Sequence, residues 1–245
     1  MDRIEDMIQV YSKSTKSTFE SIVKNPILLI LPIMYSIIRF GASQLSFFFQ
    51  GGLSFIWGFV YALLLSLVLS SYYYQLNSAV YFNRVNFRGF KKSFFYYSSS
   101  IYYVFFIEML INIFLSAVGS IPWNIYLLIQ AAIFIGLNAM PETIYVKGTV
   151  QSDSFNYNFK FLKENWYIFL LPTLIYVLVF NFGFNELNLS IMELHYGANL
   201  GLAFYNIPMY IVAQLITAVF MVFRGHLFKN LMDSTLRKRK YMGLF

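Results

Sequence analysis

Six long, nearly uncharged apolar runs constrain this chain more than any other feature. They lie at about residues 26–48, 53–77, 94–118, 121–146, 166–184 and 200–224. About 20 apolar residues form a helix long enough to cross a hydrocarbon core about 30 Å thick. A backbone in lipid must be a helix or a closed barrel, and runs such as IWGFVYALLLSLVL lack the alternation of barrel strands. The sequence predicts an all-α membrane protein, with six transmembrane helices in a single domain.

The low charge supports a membrane protein. Only 12% of the residues are charged and 58% are hydrophobic, whereas a soluble domain is typically about 25% charged. The chain has no cysteine, which excludes disulfides and thiolate metal sites. Residues 1–18 are charged and contain no apolar core, so no cleavable signal peptide is predicted.

The distribution of Lys and Arg predicts the orientation. Apart from Arg39, every Lys and Arg lies in one of four segments: residues 1–25, 81–93, 147–165 and 224–245. The intervening loops carry none, so the positive-inside rule places both termini in the cytoplasm and the protein in the plasma membrane. The basic tail, residues 225–245, is expected to attract anionic membrane lipids, with no nucleic acid implied.

Two amphipathic segments precede spans on the predicted cytoplasmic side. In residues 4–23 and again in residues 155–166, apolar side chains recur at helical spacing between basic ones. Such helices lie in the membrane interface, and residues 1–25 are expected to do so. Both an anchoring role and a docking surface for a cytoplasmic partner are compatible with this pattern.

The two segments lead into similar sequences, KNPILLILP (residues 24–32) and ENWYIFLLP (residues 164–172). In each, an Asn stands seven residues before a Pro. Each is predicted to contain a helix break at the Asn and a kink at the Pro. An old duplication and convergent local physics both explain the similarity.

Three prolines are predicted to kink spans, because an internal proline removes a backbone hydrogen bond. They are Pro32, Pro172 and Pro208, of which Pro208 is the most central to its predicted span.

Two ionisable residues fall inside predicted spans, Arg39 in the first and Glu108 in the third. Charges in a span usually face the bundle interior and pair with each other. An Arg39–Glu108 ion pair is therefore predicted, with a structural role or a gating or substrate role. The alternative is that Arg39 extends to the membrane surface. Glu142, in the run MPET, is expected either to complement the first turn of a helix restarted at Pro141 or to make a functional contact.

No catalytic chemistry is predicted. The sequence lacks the phosphate-binding GxxxxGK[ST] loop and the HExxH and GxSxG motifs. Glu193 and His195 offer one acid and one imidazole, too few for a metal site or a triad. We therefore expect no catalytic, cofactor-binding or metal-binding residues and no enzyme activity.

The layout resembles the small permease subunits of bacterial ABC-2-type exporters. The resemblance rests on the six spans, the amphipathic N-terminal helix and the basic turn NRVNFRGFKK between spans two and three. In that family this turn contains the coupling helix that rests on the ATPase, and residues 81–92 are the matching segment. Its basic residues are Arg84, Arg88, Lys91 and Lys92. The family's longest outer loop, often with short re-entrant helices, corresponds to residues 184–196.

The resemblance implies a permease subunit, as a homodimer or heterodimer, powered by a separate cytoplasmic ATPase. An amphipathic peptide or lipid-like substrate would suit the apolar, aromatic-rich spans. Alternatively, the Lys-Asn-Pro entrance at residues 24–26 resembles six-span proteins related to the membrane domain of glycerophosphodiester phosphodiesterases. That likeness implies a non-enzymatic accessory, immunity or scaffold protein. A secondary transporter is disfavoured, because few ionisable groups are available for ion coupling.

Overall fold

The computed structural model describes residues 3–49, 51, 54–85, 89–117, 119, 121–187, 189–232, 234 and 238–239, and this part of the chain is helical, with no strand. The α-helices are α1 (Arg3–Lys24), α2 (Leu31–Gln44), α3 (Ser54–Phe82), α4 (Phe90–Tyr96), α5 (Ser98–Ala117), α6 (Trp123–Gly136), α7 (Met140–Glu142), α8 (Gln151–Phe184), α9 (Leu200–Tyr205) and α10 (Ile207–Leu231). Short 3-10 helices span Pro26–Leu29, Leu45–Phe48 and Glu193–Tyr196, and a π-helical turn spans Thr143–Lys147.

Six segments are long and apolar enough to cross a membrane, as predicted. They are Pro26–Phe48, Ile56–Phe82, Ser98–Ala117, Trp123–Lys147, Gln151–Phe184 and Ile207–Leu231. The chain is thus a multi-pass membrane protein with an all-helical fold.

The sixth span begins and ends seven residues later than predicted. The Asn206 side chain accepts a hydrogen bond from the Met209 backbone N–H at 3.0 Å, which caps the start of α10. Asn is among the preferred N-cap residues because its oxygen satisfies a free N–H of the first turn. The shift places Arg224, expected at the start of the cytoplasmic tail, inside the membrane-spanning helix.

The two similar sequences, KNPILLILP and ENWYIFLLP, have different structures. The first is broken as predicted, since α1 ends at Lys24 and the 3-10 helix follows Asn25. The second is not broken, because α8 is one continuous helix through Asn165. The predicted break at this Asn is wrong, and the amphipathic segment and the fifth span form one helix.

The prolines also differ from their predicted roles. Pro32 and Pro208 lie in the first turns of α2 and α10, where the missing N–H has no partner within the helix. Pro208 begins its span, so the prediction that it kinks one is wrong, whereas Pro32 lies inside the span Pro26–Phe48, where the 3-10 helix gives way to α2. Pro172 alone of the three lies inside a helix, α8.

The core forms around α10, which packs against α1, α2, α3, α8 and α9. The N-terminal helix α1 turns its small polar face towards α10. There Ser21 Oγ hydrogen-bonds His226 Nε2 and Asn230 Nδ2 donates to Ser14 Oγ, both at 2.9 Å. Ile8 and Phe19 on the opposite face are exposed, an arrangement suited to contact with lipid.

Candidate functional site

The candidate site is built around an interruption in the fourth span. α6 ends at Gly136 and α7 begins at Met140. Asn158 of α8 bridges the gap, because its Nδ2 donates to the Gly136 carbonyl at 2.6 Å and its Oδ1 accepts from the Ala139 N–H at 3.1 Å. Irregular backbone at membrane depth is tolerated where protein satisfies its polar groups. The interruption is therefore a supported part of the fold.

Glu142 and Arg224 form a buried ion pair beside this interruption. Arg224 Nε donates to Glu142 Oε1 and Nη2 to Oε2, each at 2.8 Å. The two side chains are 0% and 1% exposed, respectively. Two parallel hydrogen bonds of this kind fix the orientation of both groups as well as strengthening the pair.

The remaining donors of Arg224 are used by the surrounding spans. Nη1 donates to Thr173 Oγ1 and Nη2 to the Asn138 carbonyl, both at 2.6 Å. The guanidinium carbon also lies 4.8 Å from the centroid of the Phe169 ring, within cation–π range. Arg224 thereby joins α10 to α8 and to a carbonyl freed by the interruption.

Residues 189–199, which we call the inserted segment, extend from the loop after the fifth span into the bundle. His195 is fully buried, and its Nε2 lies 3.7 Å from Glu142 Oε1. The His195 ring packs edge-on against Tyr73, with centroids 5.0 Å apart. The short helix Glu193–Tyr196 belongs to this segment.

Burial controls the protonation of His195. Loss of water around the ring lowers the pKa of His195, and the neighbouring Glu142 carboxylate opposes that effect. Burial is the larger influence, so the neutral imidazole is favoured.

The tip of the inserted segment packs tightly on α10. Gly197 has a φ of 68°, and a Cβ at this position would stand 2.5 Å from Thr217 Oγ1. The neighbouring Ala198 carbonyl accepts a hydrogen bond from Gln214 Nε2 at 2.9 Å. Only glycine combines this backbone conformation with so close an approach.

Arg39 has a different partner from the one predicted. It forms an ion pair with Glu193, and its guanidinium carbon lies 5.2 Å from the centroid of the Tyr196 ring. The predicted Arg39–Glu108 pair is absent. Glu108 instead lines, with Glu193, an open cleft of about 510 Å³ between α3 and α5. The inserted segment brings a nearer carboxylate to Arg39, which no local pattern indicated.

The basic turn leads directly into α4. Arg84, Lys91 and Lys92 are exposed, and Arg88 lies outside the described residues. Asn25 holds the turn at its start, because its Nδ2 donates to the Asn83 carbonyl at 2.9 Å and its Oδ1 accepts from the Val85 N–H at 3.0 Å.

Sequence reasoning identified Glu142 as a residue of interest but missed Arg224 and His195. A signal for Arg224 was present: Asn206 with Pro208 marks a helix start, and a span of about 20 residues counted from there reaches past Arg224. No comparable signal existed for His195, which reaches Glu142 only because the inserted segment folds inwards.

Among the described residues, no group of three or more His, Asp or Glu side chains is placed to hold a metal ion. Comparisons with protein-family models, curated proteins and solved structures found no match.

Proposed function

We propose that this protein is the permease subunit of an ABC-type exporter. It moves an amphipathic peptide or lipid-like substrate across the plasma membrane with energy from a separate cytoplasmic ATPase. Both termini lie in the cytoplasm in this proposal, and the chain has no enzyme activity of its own. The observation that carries the proposal is the hydrogen bonding of α4, the short helix after the basic turn.

α4 is linked to two spans through Ser93. The Ser93 carbonyl accepts from Ser70 Oγ of α3 at 2.7 Å, and Ser93 Oγ hydrogen-bonds Ser71 Oγ at 2.9 Å. Ser71 Oγ in turn bonds Tyr35 Oη of α2 at 2.8 Å. A force applied to α4 would therefore reach α2 and α3 through a continuous chain of buried hydrogen bonds.

The C-terminal end of α3 and the turn that follows it are linked to two further elements. Asn25 connects the turn to the start of the first span, and Lys229 of α10 donates to the Val80 carbonyl at 2.7 Å. A subunit driven from its cytoplasmic side needs such rigid connections, because coupling travels through packed and hydrogen-bonded elements.

The exposed surface of this turn suits a protein partner. Its positive charges are Arg84, Lys91 and Lys92, and Phe82 and Phe95 nearby are 65% and 71% exposed. Aromatic and basic residues are frequent in protein interfaces, and complementary charge accelerates docking. An ATPase with an acidic groove would fit this surface.

The interrupted fourth span and the inserted segment also favour transport over a purely structural role. Transporters commonly place substrate sites where helices are discontinuous. The Arg224–Glu142 pair lies at such a place in this chain.

The test is co-purification of the chain with its partners in mild detergent. We expect the wild-type chain to bring a stoichiometric ATPase with it. Replacing Arg84, Lys91 and Lys92 with Ala should weaken that association, because the docking charges are removed. Replacing Lys160 and Lys163, exposed on α8, removes charge from the other segment compatible with docking and should leave the association unchanged if the turn makes the contact.

Two outcomes would contradict the proposal. Recovery of the chain alone, or with a neighbour that is not an ATPase, would favour the accessory, immunity or scaffold function. An ATPase association that is unaffected by the three substitutions would move the contact away from the turn.

A further inference from the structure

We propose that the cleft between α3 and α5 binds a cationic amphiphile, a molecule with an ammonium headgroup and an alkyl chain. This deepens the proposed function by naming a substrate class for it. The idea that the bound molecule is exported rests on that function, whereas binding to the isolated chain does not.

The cleft has the size and composition of a small-molecule site. Its volume is about 510 Å³, within the range of about 300–1,000 Å³ typical of ligand pockets. Apolar walls come from Leu65 of α3 and from Phe105, Met109 and Ile113 of α5. These side chains would surround an alkyl chain, whose burial is favourable in proportion to its area.

The charge of the cleft selects a cation. Two carboxylates line it, Glu108 and Glu193, and Arg39 neutralises only Glu193. Glu108 forms no ion pair with any residue in the described part of the chain, and the Ser190 hydroxyl of the inserted segment lies within hydrogen-bonding reach of its carboxylate. When both carboxylates are ionised, the cleft and its immediate surroundings therefore carry an excess of one negative charge.

The position of Glu108 makes this excess costly without a partner. Glu108 is ten residues from the start of α5, which is about 15 Å along the helix axis and near the middle of the span. An ionised carboxylate at that depth is expensive unless it is paired. An ammonium group placed between Glu108 and Glu193 would supply the missing charge.

A polar strip continues from Glu108 along one face of α5. Asn112 and Ser116 follow at intervals of four residues and line the same cleft, because residues four apart share a helix face. One polar strip among apolar walls matches an amphiphile better than a sugar or a wholly apolar molecule. An anionic lipid headgroup would be repelled by Glu108.

Another large groove of the molecule lacks this selectivity. It lies between α1, α8 and α10, has a volume of about 680 Å³, and is lined by apolar and aromatic side chains and by Thr15 and Thr18, with no charged residue. Any hydrocarbon chain would fit there, so it identifies no ligand class.

The experiment uses the purified full chain in nanodiscs of zwitterionic phosphatidylcholine at pH 8, without ATPase. Dodecylamine, dodecanol and dodecanoate are titrated against loaded and empty nanodiscs. We expect a saturable component for dodecylamine only, and only with the protein present. Glu108→Gln should weaken it about tenfold or more, the equivalent of one charge-assisted hydrogen bond. Glu164→Gln, on the exposed surface of α8, is the matched control and should have no effect.

Two further variants keep the test decisive if Glu108→Gln does not fold, as judged by thermal unfolding. Arg39→Gln releases Glu193 from its ion pair and should tighten dodecylamine binding, a direction that a merely structural role would not give. Ala62→Phe fills the cleft from α3 without changing its charge and should abolish binding.

Equal binding of dodecanol or dodecanoate, no saturable component, or no effect of the cleft variants would overturn the inference. These results would leave the ATPase association untouched. Conversely, loss of the ATPase association would leave dodecylamine binding in place as a property of the chain itself.

Discussion

Two ion pairs among the described residues, Arg224–Glu142 and Arg39–Glu193, differ in burial. The Arg224 and Glu142 side chains are 1% and 0% exposed, and the N–H groups of Arg224 donate to protein acceptors. Arg39–Glu193 is 20% and 26% exposed and borders an open cleft. The first pair is fixed by two parallel hydrogen bonds, whereas the second lies beside the cleft proposed to bind a cationic amphiphile. Burial thus separates a pair that protein holds in one geometry from a pair that borders open space.

The largest effect should come from breaking the buried pair. Glu142→Leu leaves the Arg224 guanidinium uncompensated in the bundle, and Arg224→Met does the same to the carboxylate. Each should lower the free energy of unfolding by about 3–5 kcal/mol. Equilibrium unfolding in mixed micelles measures this change.

The double variant Glu142→Leu/Arg224→Met sharpens the same point. It removes both charges together, so it should lose clearly less stability than the sum of the single variants. Additive losses would show that the two side chains act independently, contrary to their contact.

A smaller effect is expected at the tip of the inserted segment. Gly197→Ala introduces a Cβ close to Thr217 at a φ of 68°, so the segment must shift or strain. The cost should be about 1–3 kcal/mol. Gly183→Ala is the matched control, since no side chain lies within 4 Å of its added Cβ and Ala favours a helix. Equal stability of the two variants would mean that the tip is not held against α10.

Breaking the Arg39–Glu193 ion pair should lower the free energy of unfolding by less again. Arg39→Gln removes a partly exposed ion pair, and such pairs contribute about 0–1 kcal/mol. Unfolding under the same conditions as for Arg224→Met gives a direct comparison. A loss as large as that of the buried pair would erase the distinction drawn between them.

The smallest expected effect is a pH dependence. The pKa of His195 is lowered by burial, so the folded state resists protonation while the unfolded state accepts a proton below about pH 6.5. Stability should therefore be constant above that value and fall as the pH is lowered through it. Thermal unfolding between pH 7.5 and 5.5 tests this, and His195→Gln should flatten the dependence. An unchanged slope in the variant would assign the effect to other groups.

The six spans could be predicted from the sequence because each is a continuous apolar run. The boundaries were less accurate where the determinant was a single cap. At the sixth span, the Asn206 cap and the proline at the second helical position locate the start, and counting hydropathy alone overlooked them. At the second entrance, an Asn that resembled a helix break continues the helix instead.

The candidate site was only partly predictable. The sequence marked Arg39, Glu108 and Glu142 as unusual, since charged residues in apolar runs stand out. It could not assign their partners. Arg39 meets Glu193 across 154 residues and Glu142 meets Arg224 across 82 residues, separations at which helical spacing carries no information.

The sequence by itself determined that this chain forms six membrane-spanning helices, because the hydrophobic effect acts on each run according to its local composition. The tertiary structure alone decided which charges meet. Pairing depends on the depth and rotation of each helix and on the inward path of residues 189–199. An ionisable group in a span takes the partner that packing brings within reach, and for Arg39 that partner was Glu193.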